Sequence, residues 1–402
     1  MPAGTYRVFK LPARYSIEGR VHKNAIKQLS RAAMHEEFAV GSKSIKRSSY
    51  TVLHPNEGAS ILIADRRLTV TDEPIDVFRC RNWDAFVGGS SELEGEWLTP
   101  ASARIDLLSP SQASEARDAV LDGWHGAFDF REEKRDGDRV IETGLRPPQV
   151  GALFGVLSHW KTSSLPATVV MPTGTGKTET MLALLARERL SRLLVIVPTG
   201  ALRDQIGDKF VSMGLLKQLG ALREDAPLPI VGLLEHKPKT AEEVDAIFIG
   251  CNVVVTTMAV AGQSTEAVQR RMAELCSHLF IDEAHHISAR TWEAFRGHFA
   301  DRPVVQFTAT PFRNDGKHVD GKVVFNYPLR KAQAEGYFKE IRFAPVDELD
   351  QVEADQAIAA AAIAQLASDA SAGFNHLVMA RCSDIKRAEQ VHAYYAAVAP
   401  EH

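Results

Sequence analysis

Two textures of apolar spacing meet near Leu145. From there on, short runs that are apolar throughout alternate with stretches at helical spacing. The runs are ATVV (167–170), LLVIV (193–197), PIVGLL (229–234), VVVTT (253–257), HLFID (278–282) and PVVQFT (303–308), and MLALLARERL (181–190) typifies the helical stretches. Runs without a polar face predict strands covered on both sides, hence a parallel sheet flanked by helices in an α/β fold. DAIFIG (245–250) predicts a further edge strand. This block extends to about residue 315. Beyond it, KVVFNYPL, EIRFAPV, an Ala-rich helix over 356–367, a strand HLVMA (376–380) and a helix DIKRAEQVHAYYAAV (384–398) predict a connector and the start of a second α/β domain.

The first 140 residues are patterned differently. YRVFKL (6–11), SYTVL (49–53), SILIA (60–64) and RLTV (67–70) predict short strands separated by charged clusters, and AVLDGWHGAFDF (119–130) predicts a helix. This is an α+β region, closed by a charged segment, REEKRDGDRVIETG (131–144), that reads as a linker. The expected division is 1–140, 141–318 and 319–402.

Composition narrows the class. Apolar content of 45% and charged content of 24% are those of an ordinary globular chain. A net charge of −4 gives no global attraction for polyanions, so a nucleic-acid surface must be a local patch. Cys80, Cys251, Cys276 and Cys382 form no C-x-x-C pair and read as reduced thiols of a cytoplasmic protein. No apolar run reaches the roughly 18 residues needed to span a bilayer.

The chemistry concentrates in MPTGTGKTET (171–180), between a predicted strand and a predicted helix. Gly174 and Gly176 let backbone N–H groups turn toward a phosphate, and the following helix adds its positive end. Lys177 is placed to bridge β- and γ-phosphates and Thr178 to hold Mg²⁺. The first glycine of the usual G-x-x-x-x-G-K-[ST] pattern is replaced by Met171. A hundred residues on, HLFIDEAHH (278–286) puts Asp282 and Glu283 at the carboxyl end of a strand, where open α/β sheets bind ligands. Asp282 suits Mg²⁺, and Glu283 suits taking the proton of an attacking water.

Together, MPTGTGKT and D-E-A-H resemble the superfamily 2 helicases and translocases, whose loops often lack the first glycine. Further elements resemble that family in its order. LRPPQ (145–149) is similar to the adenine-recognition element, VIVPTGALRDQ (195–205) to motif Ia, VVVTTM (253–258) to motif Ib, FTATPFR (307–313) to motif III and HLVMARC (376–382) to motif IV. The resemblance covers about Leu145 to the C-terminus and implies a RecA-like P-loop domain followed by the start of a second one. It implies ATP and Mg²⁺ as cofactors, with Arg146, Gln149, Thr173, Gly174, Thr175, Gly176, Lys177 and Thr178 around the nucleotide. Thr178 and Asp282 are the implied metal ligands, and Lys177, Asp282, Glu283 and His285 the implied catalytic set. Thr199, Gly200, Arg203, Thr256 and Thr257 are implied nucleic-acid contacts, and Thr308 and Thr310 couple the two sites.

The closest flavour is that of type III restriction subunits and XPB-like DNA translocases. E-A-H-H at 283–286, rather than E-A-H-E-R, tilts the expectation from RNA to DNA. The arginine fingers of the family's later motifs have no match before His402, so a chain incomplete in its second domain, with weak turnover, is expected. The alternatives are an ATP-gated nucleic-acid binder with little turnover and a P-loop ATPase acting on protein. The N-terminal region lacks an H-x-K nuclease motif; Glu132 and Lys134 stand at E-x-K spacing, which a charged linker produces by chance. A DNA-recognition or partner-docking role is expected there.

Overall fold

The computed structural model describes residues 5–31, 34–45, 48–55, 60–66, 68, 75–98, 108–137, 139–284, 289–312, 319–337 and 343–399. The N-terminal part supplies β1 (Thr5–Leu11), β2 (Arg14–Val21), β3 (Asn24–Arg31), β4 (Met34–Ile45), β5 (Ser48–His54), β6 (Ile61–Ala64), β7 (Asp76–Cys80) and β8 (Gly95–Trp97). A small hairpin follows, β9 (Lys134–Asp136) and β10 (Arg139–Glu142). Then come β11 (Ala167–Val170), β12 (Leu193–Val197), β13 (Val231–Leu234), β14 (Val253–Thr257), β15 (His278–Asp282), β16 (Val304–Thr308) and β17 (Lys322–Asn326).

The main sheet has the order β17-β11-β16-β15-β12-β14-β13-β3-β2. Its first seven strands are mutually parallel, and β11 to β16 are buried throughout except His278 at the start of β15. This is the parallel α/β sheet that the uninterrupted apolar runs predict, and it agrees with the RecA-like P-loop domain that the family resemblance implies. Two cores form on its faces. One includes Leu153, Met181, Leu185, Val195, Phe210, Phe280 and Phe307; the other includes Ile196, Ile247, Phe248, Met272, Ile281 and Phe295.

The edge of the parallel sheet is covered by the N-terminal hairpin β2–β3, which pairs antiparallel with β13 through Val231 opposite Lys27 and Leu233 opposite Ala25. An exposed edge strand invites unwanted pairing, and this hairpin covers that of β13 and leaves the half-polar β2 as the outer strand. Buried Asn24, at the turn, accepts the N–H groups of Glu235 (2.7 Å) and His236 (2.8 Å). The other N-terminal strands form a separate sheet, β1-β4-β5-β6-β7-β8, around Phe9, Phe38, Leu53, Ile63 and Phe78.

Several sequence expectations are corrected. DAIFIG lies in the helix Ala241–Phe248 and the residues after it, not in a strand. Thr240 caps that helix by accepting the Glu243 N–H, two acids occupy its first turn, and Val244, Ile247 and Phe248 form a buried i, i+3, i+4 stripe. The charged segment 131–144 is no simple linker, since β9 and β10 pair within it. The helix expected at 119–130 begins earlier, at Pro110, behind a Ser109 capping box, and ends at Gly123. HLVMA (376–380) makes no strand. It is exposed and outside any sheet, because no second strand among the described residues pairs with it. RLTV lies mostly outside the described residues.

Compactness divides the chain into two units, 1–338 and 339–402, so the sequence boundaries at 140 and 318 both fall inside the first. The second unit holds the helices Gln351–Ser371 and Ile385–Val398, joined by the ion pair between Arg387 and Asp355. All four cysteines are free thiols, and burial pushes those of Cys251 and Cys276 up to about 12. Among the described residues no helix is long and apolar enough to cross a membrane.

Candidate functional site

A cavity of about 480 Å³ opens at the carboxyl edge of the parallel sheet, lined by the turn after β11, the end of β15 and the residues flanking Arg146. The turn is set by Gly174 (φ 85°) and Gly176 (φ 97°), both in the left-handed region that suits glycine. A Cβ at Gly176 would stand 1.9 Å from Gln149 Nε2, so any other residue there would have to push the Gln149 side chain aside. The helix Lys177–Glu188 starts directly behind it, aiming its unpaired N–H groups and positive end at the cavity.

Most of the expected nucleotide residues converge here. Arg146, Gln149, Thr173, Gly174, Gly176, Lys177, Thr178, Asp282 and Glu283 all line the cavity. Arg146 donates to the Gly174 carbonyl at 3.3 Å and so ties the adenine-type element to the loop. Gln149 is buried, its Oε1 accepting the Arg146 N–H at 2.7 Å while its own N–H donates to Arg146 O at 2.9 Å. Thr175 is placed differently from its expected contact: its buried hydroxyl donates back to Pro172 O at 2.6 Å, bracing the turn instead of facing the cavity.

The charged groups meet across the turn. Lys177 Nζ lies 2.6 Å from Glu283 Oε1, with side chains only 8% and 17% exposed. Glu283 has φ 49°, unusual for a residue with a Cβ, and its N–H donates to Asp282 Oδ1 at 3.1 Å. Burial pushes the Asp282 carboxyl up to about 6; Lys177 opposes that rise and the Glu283 charge adds to it. A lysine, a hydroxyl, two carboxylates and a turn of N–H groups are the donor set for a triphosphate with a divalent cation. The lysine, the hydroxyl, the carboxylates and the N–H groups of the turn and helix start supply the charges and donors such a group needs, so these residues fit ATP and Mg²⁺.

The remaining expected residues lie along the same edge. A neighbouring cavity of about 520 Å³ is lined by Thr173, Pro198, Thr199, Leu202, Glu283, Ala309 and Thr310. Thr199 caps the helix Gly200–Ser212 by accepting the Leu202 N–H, and Arg203 in its first turn is paired with Asp204 at 2.8 Å. Thr257 caps the next short helix in the same way. Thr256 is a correction: its side chain is fully buried and donates to Leu234 O at 3.1 Å, so it supports the sheet and presents nothing to a polymer. Thr308 is buried and donates to Thr310 O at 2.7 Å, shaping the turn after β16. His285, the expected partner of that turn, and His286 lie outside the described residues. Sequence reasoning missed Glu133, Gly144, Leu215 and Leu219 of the cavity wall, since no motif marks them.

Residues 142–313 match the family described as "Type III restriction enzyme, res subunit". No curated protein matches the chain. Among solved structures it is similar to the UvsW helicase of bacteriophage T4, at 19% identity over 54% of this chain and 64% of that one, with a TM-score of 0.30. It is also similar to the Hef helicase domain of Pyrococcus furiosus (20% identity, 62% and 54% covered, TM-score 0.33). A third is a nuclease-deletion mutant of the Type ISP restriction-modification enzyme LlaGI in complex with a DNA substrate mimic (16%, 55% and 22%, TM-score 0.32). The chain spans less than two thirds of the length of each of these proteins.

Proposed function

We propose that this chain, whose residues 142–313 match the type III restriction enzyme res-subunit family, is a nucleic-acid-dependent ATPase of the helicase type, an ATP-driven DNA helicase or translocase motor. The observation that carries the reading is the convergence of Gly174, Gly176, Lys177, Thr178, Asp282 and Glu283 on one cavity at the carboxyl edge of a parallel sheet.

Bound ATP·Mg²⁺ supplies a γ-phosphoryl group whose transfer to water releases the energy. In this reading Lys177 balances charge on the β- and γ-phosphates, and Thr178 and Asp282 hold the cation. Glu283 accepts the proton of the attacking water once Lys177 has turned to the phosphates. Arg146 and Gln149 brace the loop. Thr199, Gly200 and Arg203 offer a hydroxyl, helix-start N–H groups and a cation to a phosphate backbone on the adjoining edge, while buried Thr257 holds the start of the next helix. Thr308 and Thr310, next to Glu283, relay the state of the nucleotide to that edge. The reading prefers DNA to RNA, a cytoplasmic site of action and a docking or recognition role for the separate N-terminal sheet.

The test compares phosphate release without polymer, with duplex DNA, with single-stranded DNA and with RNA. Stimulation by DNA alone supports the motor. ATP binding without turnover on any polymer replaces it with a nucleotide-gated binder, and turnover indifferent to every polymer points to a protein-directed ATPase.

A further inference from the structure

The cavity has a wall that phosphate chemistry does not use. Glu133 and Gly144 line it beside Arg146 and Gln149, together with the aliphatic Leu215 and Leu219. Glu133 is held firmly. Its N–H donates to Leu145 O at 2.8 Å, and Leu145 N–H returns to Arg131 O at 2.7 Å. Its side chain is only 9% exposed, and Oε1 accepts from Arg135 Nε at 2.6 Å. Arg135 and Arg146 both lie over the Tyr337 ring, 5.2 and 5.3 Å from its centroid, so the carboxylate's partner is itself braced. Gly144 allows the close approach, since a Cβ there would meet Glu133 N at 2.6 Å.

Gln149, expected from the sequence to read the base, is buried and has its carbonyl oxygen engaged by the Arg146 N–H. A carboxylate offers about four acceptor positions on two oxygens, so Glu133 keeps acceptor capacity after binding Arg135. We propose that Glu133 is a specificity-determining residue that accepts a hydrogen bond from the 6-amino group of adenine, making this cavity select ATP over GTP. This rests on the nucleotide-site reading above. The base is held between aliphatic Leu215 and Leu219 and the Glu133 wall. Guanine carries a carbonyl oxygen where adenine carries the amino group. Two acceptors then face each other out of bulk water, and a site built around a hydrogen bond rejects the ligand that cannot make it.

The experiment measures equilibrium binding of Mg²⁺ complexes of four nucleotides: ATP, GTP, 2′-deoxy-ATP and the triphosphate of purine riboside, which lacks the 6-amino group. Each is titrated into the whole 402-residue chain and into Glu133→Gln. A hydrogen bond to a charged acceptor corresponds to roughly a 10- to 100-fold change in affinity. ATP should therefore bind the parent chain that much more tightly than purine riboside triphosphate, with GTP weaker still. Glu133→Gln should narrow that difference and gain GTP affinity, because its amide oxygen is a weaker acceptor than a carboxylate and its NH₂ can turn toward the guanine carbonyl. Removing the amino group should cost the variant several-fold less than it costs the parent, a cycle that reads this one contact. An unchanged ATP-to-GTP ratio in Glu133→Gln overturns the proposal. So does discrimination that follows the 2′-hydroxyl instead of the amino group. The purine riboside comparison on the parent chain decides the matter even if the variant fails to fold. Failure of the parent chain to bind any of the four nucleotides instead overturns the nucleotide-site reading, and the inference with it.

Discussion

Replacing Glu283 by Gln separates binding from turnover in opposite directions. In the structure Lys177 Nζ is held by Glu283 Oε1 at 2.6 Å, and both side chains are mostly shielded from water. A triphosphate recruiting Lys177 must first displace that carboxylate. At a separation of 4 Å and an effective dielectric constant near 20, the bare attraction is about 4 kcal/mol. Desolvation of both groups offsets much of it, and a hydrogen bond between charged groups nets about 1.5–3 kcal/mol. The amide keeps the size and shape of the carboxylate, so the left-handed backbone at φ 49° is undisturbed. Freed of the competing charge, Lys177 should bind ATP·Mg²⁺ about 10-fold more tightly, each 1.4 kcal/mol being a factor of ten. Loss of the proton acceptor should lower turnover by about 10²–10⁴. Calorimetric titration with ATP·Mg²⁺ and single-turnover phosphate release with DNA present read the two effects separately. Turnover above a tenth of the parent, or weaker ATP binding, would refute the assignment of Glu283.

Gly176→Ala should weaken ATP binding more than 10-fold, because the new Cβ meets Gln149 Nε2 and the φ of 97° disfavours it; binding within twofold of the parent, by the same titration, contradicts this. Asn24→Ala leaves the Glu235 and His236 N–H groups without their acceptor and should destabilise the first unit by about 2–3 kcal/mol in urea unfolding. The partly buried His278 imidazole is pushed down to about 4, chiefly by burial and further by Arg302. An unfolded chain then binds more protons than the folded one between pH 4 and 6.5, so stability is full above 6.5 and is lost as pH falls toward 4. The whole span is worth about 3 kcal/mol. His278→Gln should flatten that part of the stability–pH curve, and an unchanged slope would assign it to other groups.

The legible parts of the molecule are those where one local rule acts alone. Strands such as LLVIV and VVVTT, buried on both faces, announce a parallel sheet, and Gly174, Gly176 and Lys177 announce the turn. DAIFIG misled because four apolar residues in six fit a strand as well as one helical stripe, and only the Thr240 cap and the preceding acids decide between them. The hairpin β2–β3 was not foreseen, since its pairing with β13 joins residues some 200 apart and each of its strands is only partly buried. Thr256 shows the limit of motif transfer: the residue type matches, but side-chain alternation along the strand turns its hydroxyl toward Leu234. Glu133 was hidden for the opposite reason, standing in a charged stretch whose fold comes from backbone pairing with Leu145 rather than from apolar spacing.

The most direct measurement of the central claim is calorimetric titration of ATP·Mg²⁺ into the whole chain and into Lys177→Ala. One binding event in the parent chain, weakened at least 10-fold by the substitution, is the predicted result. No binding to the parent chain, or equal binding to both, would contradict the claim that this cavity is the nucleotide site of a motor.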